Sequence, residues 1–149
     1  MERRARVFGH DITLDEIHPG TFFSLNPEKV KIGLMEGVRP GFSDTIKEGD
    51  IIVAGRNFGM GSGRESGAWA MKLWGMDCVI AEGFSRYMFR NCVNNGIWAL
   101  EVPGILELVE EGDMLVVNPE EGCINLKSGG VLAAGEFPPW MVNLIKARL

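Results

Sequence analysis

The sequence predicts an α/β domain in which parallel strands alternate with helices and further strands pack against them. Three observations carry that prediction. Two strand–helix–strand patterns follow one another between residues 51 and 102, and a glycine-rich loop joins the first strand to its helix. The last third then alternates short apolar runs with Gly- and Pro-rich turns before a final helical segment. With 149 residues the chain is expected to be one domain over 1–149. That length supports a core without disulfides or a structural metal.

The elements follow in order. Residues 5–17 read as a short strand and then a polar loop, closed by the His18-Pro19-Gly20 turn. Asn26-Pro27-Glu28 combines an N-cap, a first-turn proline and a first-turn acid, which predicts a helix over 27–35. Ile51-Ile52-Val53-Ala54 is a buried-strand run, and residues 64–74 suit a helix with Gly75 at its C′ position. A second strand is expected over 78–81. Ser85 can cap a helix through Asn95, where Phe84, Met88 and Cys92 recur at i, i+4 and i+8 and Gly96 ends the run. A third strand is expected over 97–102. Strand candidates at 114–118, 123–126 and 131–134, with a helix over 139–147, complete the chain.

Composition narrows the function classes. Lys plus Arg total 15 against 20 for Asp plus Glu, a formal charge of −5 that argues against a nucleic-acid partner. No apolar run approaches the ~18 residues that span a bilayer, so no membrane association is expected. The basic start, Arg3-Arg4-Ala5-Arg6, reaches His10 without the apolar stretch of a secretory signal. Cys78, Cys92 and Cys123 form no CxxC pair, so neither a zinc nor an iron–sulfur site is expected on this chain. Reduced thiols in a cytoplasm are the natural reading.

The chemistry concentrates in Gly59-Met60-Gly61-Ser62-Gly63-Arg64. Ligands of parallel sheets sit beyond the carboxyl ends of strands, where this loop lies. Alternate glycines let backbone amides approach an anion, and Arg64 offers a fork that matches a carboxylate or phosphate. A Walker loop requires a Lys that is absent, a dinucleotide fingerprint requires GxGxxG, and a nucleophile elbow requires GxSxG, which Met60 breaks. No histidine follows Ser62, which disfavours a hydrolase triad. Two readings stay open on spacing alone: an anion-binding loop, and a tight turn into a capped helix.

The stretch Asn57-Phe58-Gly59-Met60-Gly61-Ser62-Gly63-Arg64-Glu65 resembles the swivel domain of the aconitase superfamily. Val79-Ile80-Ala81-Glu82-Gly83-Phe84-Ser85-Arg86 and Phe89-Arg90-Asn91-Cys92-Val93-Asn94-Asn95-Gly96-Ile97 extend the likeness, and Gly49-Asp50-Ile51-Ile52-Val53-Ala54-Gly55 matches the strand before the loop. The segment from Asp11 to Gly20 resembles the family's opening motif. Within the superfamily the chain is most similar to the separate small subunits of 3-isopropylmalate dehydratase and their homoaconitase-like relatives.

That resemblance implies an aconitase swivel-like fold and a hydro-lyase acting on a 2-hydroxy dicarboxylic acid. The reaction expected first is 2-isopropylmalate to 3-isopropylmalate in leucine biosynthesis. It implies Ser62 as the catalytic base, Arg64 as the substrate-carboxylate partner, and Gly61 and Gly63 as substrate-binding backbone. Gly63 stands where the family has a second serine, and Ser66 where it usually has histidine. The implied [4Fe–4S] cluster belongs to a large catalytic subunit, with none bound by this chain; self-association in the absence of that subunit stays open. Thr21-Phe22-Phe23-Ser24-Leu25 matches the substrate-specificity loop, with Phe22, Phe23, Ser24 and Leu25 as its expected residues; apolar Phe22, Phe23 and Leu25 favour an alkyl substituent over a third carboxylate. Homoaconitate, citramalate or dimethylmalate as substrate, a non-catalytic anion-binding module, and a purely structural subunit are the competing readings. The remaining polar residues carry plainer expectations. His10 and His18 read as surface or loop groups, Arg86 and Asn91 as family positions near the site, and Trp69, Trp74 and Trp98 as core or interface filling. Glu110-Glu111 and Glu120-Glu121 read as solvated turns.

Overall fold

Every residue of β2 (Asp50–Ala54) and β3 (Cys78–Ala81) is buried, the pattern of parallel strands covered on both faces. A computed structural model describes residues 2–61 and 64–148. Its strands form one seven-stranded sheet in the order β4-β3-β2-β1-β5-β6-β7. β1 (Glu2–Val7), β2, β3 and β4 (Trp98–Glu101) pair in parallel. β5 (Met114–Asn118), β6 (Cys123–Leu126) and β7 (Val131–Ala133) continue the sheet as an antiparallel meander hydrogen-bonded to β1. The predicted α/β class, the parallel strand–helix–strand units and the added strands are all present.

Side-chain alternation divides the core between the two faces. Ile52, Ala54, Val79, Ala81 and Ala99 point to one cluster, which buries Phe42, Phe58, Met71 and Met88 completely or nearly so. Ile51, Val53, Cys78, Ile80 and Leu100 point to the other, shared with Leu115, Val117, Ile124 and Ile145. Burying each large apolar side chain contributes about 1.5–3 kcal/mol. The helices are α1 (Leu14–Ile17), α2 (Pro27–Ile32), α3 (Ser66–Leu73), α4 (Arg86–Asn94) and α5 (Pro139–Arg148).

Three local expectations need correction. The segment 5–17 is not a strand and then a polar loop. β1 begins at Glu2, and residues 14–17 form α1, nucleated by a reciprocal capping box between Thr13 and Glu16. The Thr-x-x-Glu spacing was the available signal. The helix expected over 27–35 keeps its Asn26 cap on the Glu28 amide but stops at Ile32. A Cβ at Gly33 would stand 2.5 Å from Phe22 Cβ and 2.8 Å from His18 Nε2, so the crossing segment admits only glycine there, and Met35 then turns to φ +60° with its amide on Ile17 O (2.6 Å). The helix expected over 64–74 begins at Ser66, because Arg64 and Glu65 belong to the loop. The basic N-terminus lies within β1: Arg3 and Arg6 are buried, and Arg4 and Arg6 share Asp50.

Candidate functional site

Three loops leave the carboxyl ends of β1, β2 and β3 on the same edge of the sheet, where open parallel sheets place ligands. They are stitched by backbone hydrogen bonds. Gly55 N–H donates to Gly9 O (3.0 Å), Asp11 N–H to Arg56 O (2.8 Å), Gly59 N–H to Ile12 O (2.8 Å) and Leu14 N–H to Met60 O (2.9 Å). Phe58 N–H reaches Gly83 O (3.0 Å), and Ser85 N–H returns to Phe58 O (2.9 Å). Ser85 works twice: its hydroxyl donates to Gly59 O (2.7 Å) and accepts the Met88 amide at the start of α4 (3.1 Å). The glycine loop is therefore tied on both flanks before any ligand arrives.

Gly59 shows why the loop needs glycine. Its φ is +84°, and a Cβ there would stand 2.4 Å from Met88 Cβ, so conformation and space both exclude a side chain. Gly61, with φ +124°, is exposed at the tip. The candidate base Ser62 and its neighbour Gly63 lie outside the described residues. Arg64 follows directly. Its Nη2 is ion-paired to Asp15 Oδ1 on α1, and its carbonyl accepts from Asn91 Nδ2 (3.1 Å) on α4. Glu65 is held in turn by Asn95 Nδ2 (2.9 Å).

Beside Arg64 a recess of about 400 Å³ is lined by Phe23, Arg64, Glu65, Ser66, Trp69 and Asn95. The structure thus brings Phe23 to Arg64 and separates the rest of the predicted specificity loop from it. Phe22 packs against Gly33 and faces the His18 ring, with centroids 6.3 Å apart. Ser24 Oγ accepts the Asn26 amide (3.0 Å), and Leu25 is 93% exposed. Ser66 is buried with its Oγ unpartnered among the described residues.

His18 is not the surface or loop group expected from its turn context. It is 1% exposed and donates Nε2–H to Val30 O (2.9 Å), which leaves Nδ1 without a partner among the described residues. Burial pushes its pKa down, the Val30 contact opposes that, and the nearby Arg64 charge lowers it further, so the ring is neutral. Its packing next to proline and glycine gave no sequence signal. His10 stays exposed, its Nδ1 accepting the Arg56 amide (2.9 Å). Trp98 is core, and Trp74 donates to Lys31 O (2.7 Å). Glu111 is not merely a solvated turn: it accepts from Val7 N–H (2.6 Å) and Arg6 Nε (2.8 Å) and pairs with Arg39.

The cysteines do not suit a cluster on this chain. Cys78 and Cys92 are buried in different packed clusters, and burial raises both thiols, that of Cys92 to about 12. Among the described residues no group of three or more His, Cys, Asp or Glu side chains could hold a metal. Nor is any described helix long and apolar enough to cross a membrane.

Comparison with known proteins adds to this geometry. A family model described as the aconitase C-terminal domain matches residues 40–104. The 3-isopropylmalate dehydratase small subunit 1 of Methanopyrus kandleri is 40% identical over 146 residues, 97% of this chain and 86% of that one. The isopropylmalate/citramalate isomerase small subunit of Methanocaldococcus jannaschii is 42% identical over 149 residues, 99% of this chain and 89% of that one. A crystal structure of 3-isopropylmalate dehydratase from Methanocaldococcus jannaschii superposes with a TM-score of 0.87 at 30% identity, covering 99% of this chain and 93% of the other.

Proposed function

The chain belongs to the family of 3-isopropylmalate dehydratase small subunits, and on that premise we propose that it is the small subunit of a hydro-lyase interconverting 2- and 3-isopropylmalate in leucine biosynthesis. It acts with a large subunit in the cytoplasm. The observation that carries this reading is Arg64, held at the exit of the glycine loop beside a recess walled by Phe23 and Trp69.

The chemistry follows from those groups. Converting one hydroxy diacid into its isomer requires removing a carbon-bound proton beside a carboxylate while the neighbouring hydroxyl departs, and then returning water to the resulting double bond with the hydroxyl and the proton exchanged between the two carbons. The Arg64 guanidinium binds the carboxylate through parallel N–H donors, which fixes the adjacent carbon. Ser62, between Gly61 and Arg64 in the chain, is the base that takes the proton. A serine becomes basic enough only where backbone amides and a cation stabilise its alkoxide away from water. Gly61 and Gly63 leave those amides approachable. The [4Fe–4S] cluster of the large subunit supplies a Lewis acid for the departing hydroxyl when that subunit is bound. The alkyl substituent packs on Phe23, and among the described residues no lysine or arginine other than Arg64 lines the recess to hold a third carboxylate. Citramalate is the second reading, favoured by the dual name of the Methanocaldococcus jannaschii relative.

The test uses the complex reconstituted with its large subunit. Ser62→Ala should lower kcat by about 10²–10⁴-fold with little change in KM. Turnover of 3-isopropylmalate should exceed that of homoaconitate. Near-normal kcat in Ser62→Ala would remove Ser62 as the base, and faster turnover of homoaconitate would overturn the alkyl reading of the recess.

A further inference from the structure

We propose that Gly20 and Asp15 form a seat that fixes the Arg64 guanidinium, making both of them positioning residues for the substrate carboxylate. The inference rests on the reading of Arg64 as the carboxylate clamp. Both residues come from the segment after β1, far from Arg64 in sequence; Asp15 pairs with one terminal nitrogen of its fork, and the Cα of Gly20 faces the other. Asp15 Oδ1 pairs with Nη2. A Cβ added at Gly20 would stand 3.2 Å from Nη1, and among the described residues it would meet no other heavy atom within 4 Å beyond its chain neighbours.

The glycine at position 20 has no conformational reason to be there. Its φ lies outside the left-handed region where glycine is favoured. At 3.2 Å, a Cβ at position 20 would push the guanidinium aside by a few tenths of an ångström. Asp15 is equally placed by backbone. It sits on α1, whose first turn is closed by the Thr13–Glu16 capping box and whose Leu14 amide is bonded to Met60 O of the glycine loop. The element carrying the carboxylate is therefore stitched to the loop carrying the arginine. Asn91 fixes the other end by binding Arg64 O. An arginine anchored through its backbone carbonyl and through one guanidinium nitrogen loses less freedom when it binds a carboxylate, and the direction of its fork sets where the neighbouring carbon lies. Asp15 occupies only one terminal nitrogen in the described contacts, which leaves the fork with donors for substrate.

Gly20→Ala is a selective probe, since the added methyl meets only the guanidinium. In the reconstituted complex it should raise KM for 3-isopropylmalate by about 3–10-fold, with kcat changed less than about twofold. The melting temperature should not move. Asp15→Asn should raise KM in the same range. In an Arg64→Lys background Gly20→Ala should add nothing, because lysine has no Nη1 for the methyl to displace. An unchanged KM in Gly20→Ala would overturn the seat. So would an equal effect of that substitution in the Arg64→Lys background, or a lower KM in Asp15→Asn, which would make Asp15 a competitor of substrate. If Arg64→Lys leaves KM unaltered, the clamp reading fails and takes the seat with it. If Arg64→Lys raises KM while Gly20→Ala is silent, the seat alone fails.

Discussion

Among the described residues, two of the arginine–carboxylate sites use the same residue types and differ in how deeply they are buried. At β1, Arg4 and Arg6 converge on Asp50, whose side chain is 1% exposed, and Lys47 N–H also donates to it (3.0 Å). Arg6 lies over the Phe42 ring at 4.5 Å and reaches Glu111, while Arg39 lies over Phe8 at 4.1 Å. Every partner there is intramolecular. At the glycine loop, Arg64 is 33% exposed and its partner Asp15 is 79% exposed. A buried pair such as Arg6–Asp50, at 7% and 1% exposed, holds a fold together, because removing one member strands the other. A wet, singly paired arginine holds little and stays available to an incoming anion.

Breaking the dry site should have the largest effect. Asp50→Ala takes from the buried Arg6 guanidinium its buried carboxylate, leaving it the half-exposed Glu111 as carboxylate partner, and should cost about 3–5 kcal/mol. A melting temperature lower by roughly 10–15 °C is the expected readout. A loss under about 1 kcal/mol would mean that the buried network is no more structural than the exposed pair.

The backbone at Phe58, Gly59 and Met60 is tied to its neighbours even though Arg64 is part-exposed. Gly59→Ala meets both a positive φ and Met88, and should cost about 2–4 kcal/mol by thermal or denaturant unfolding. A neutral result would mean that the loop relaxes independently of α4.

Acid should separate the regions by pH. Burial pushes the Asp50 carboxyl up, but the Arg4, Lys47 and Arg6 hydrogen bonds outweigh it and hold the group below its ordinary value. Glu111 behaves likewise: burial raises it, and the Val7 amide, Arg6 and Arg39 bring it down. Stability from these groups is full above the ordinary carboxylate range of about 4 and is lost as pH falls through their lower folded values. His18 is lowered by burial, so the unfolded chain binds its proton first. Stability should therefore already decline as pH drops below about 6.5. Unfolding free energies across pH 3–8 should show two descending segments, with His18→Gln flattening only the upper one.

The smallest effect distinguishes the two sites most sharply. Asp15→Ala should change stability by less than about 0.5 kcal/mol, since an exposed pair is screened by solvent. A larger loss of folding free energy would place Asp15 among the structural carboxylates.

Much of the fold was legible because its signals are local. Asn26 and Ser85 are caps followed by helical patterns, and Gly75 and Gly96 end helices where the chain needs positive φ. β2 and β3 are continuous apolar runs bounded by turns, and the last three strands and α5 fall almost where the alternation places them. The glycine loop and Arg64 stood out by composition, and their likeness to the aconitase swivel domain gave them a chemical reading.

What the sequence could not place is what depends on partners distant in the chain. Arg6 reads as one of several N-terminal cations, yet its ligands Asp50 and Glu111 are 44 and 105 residues away. His18 reads as a turn residue until Val30 and Gly33 close over it. Phe22 and Phe23 are adjacent and chemically identical, but one turns toward His18 and the other toward Arg64. The sequence by itself determined the alternation of elements, their caps and the glycine-rich loop proposed to bear the chemistry, because periodicity and turn preferences act over a few residues. Only the tertiary structure decided which arginines became structural and which stayed accessible, because burial and pairing arise when distant segments cross.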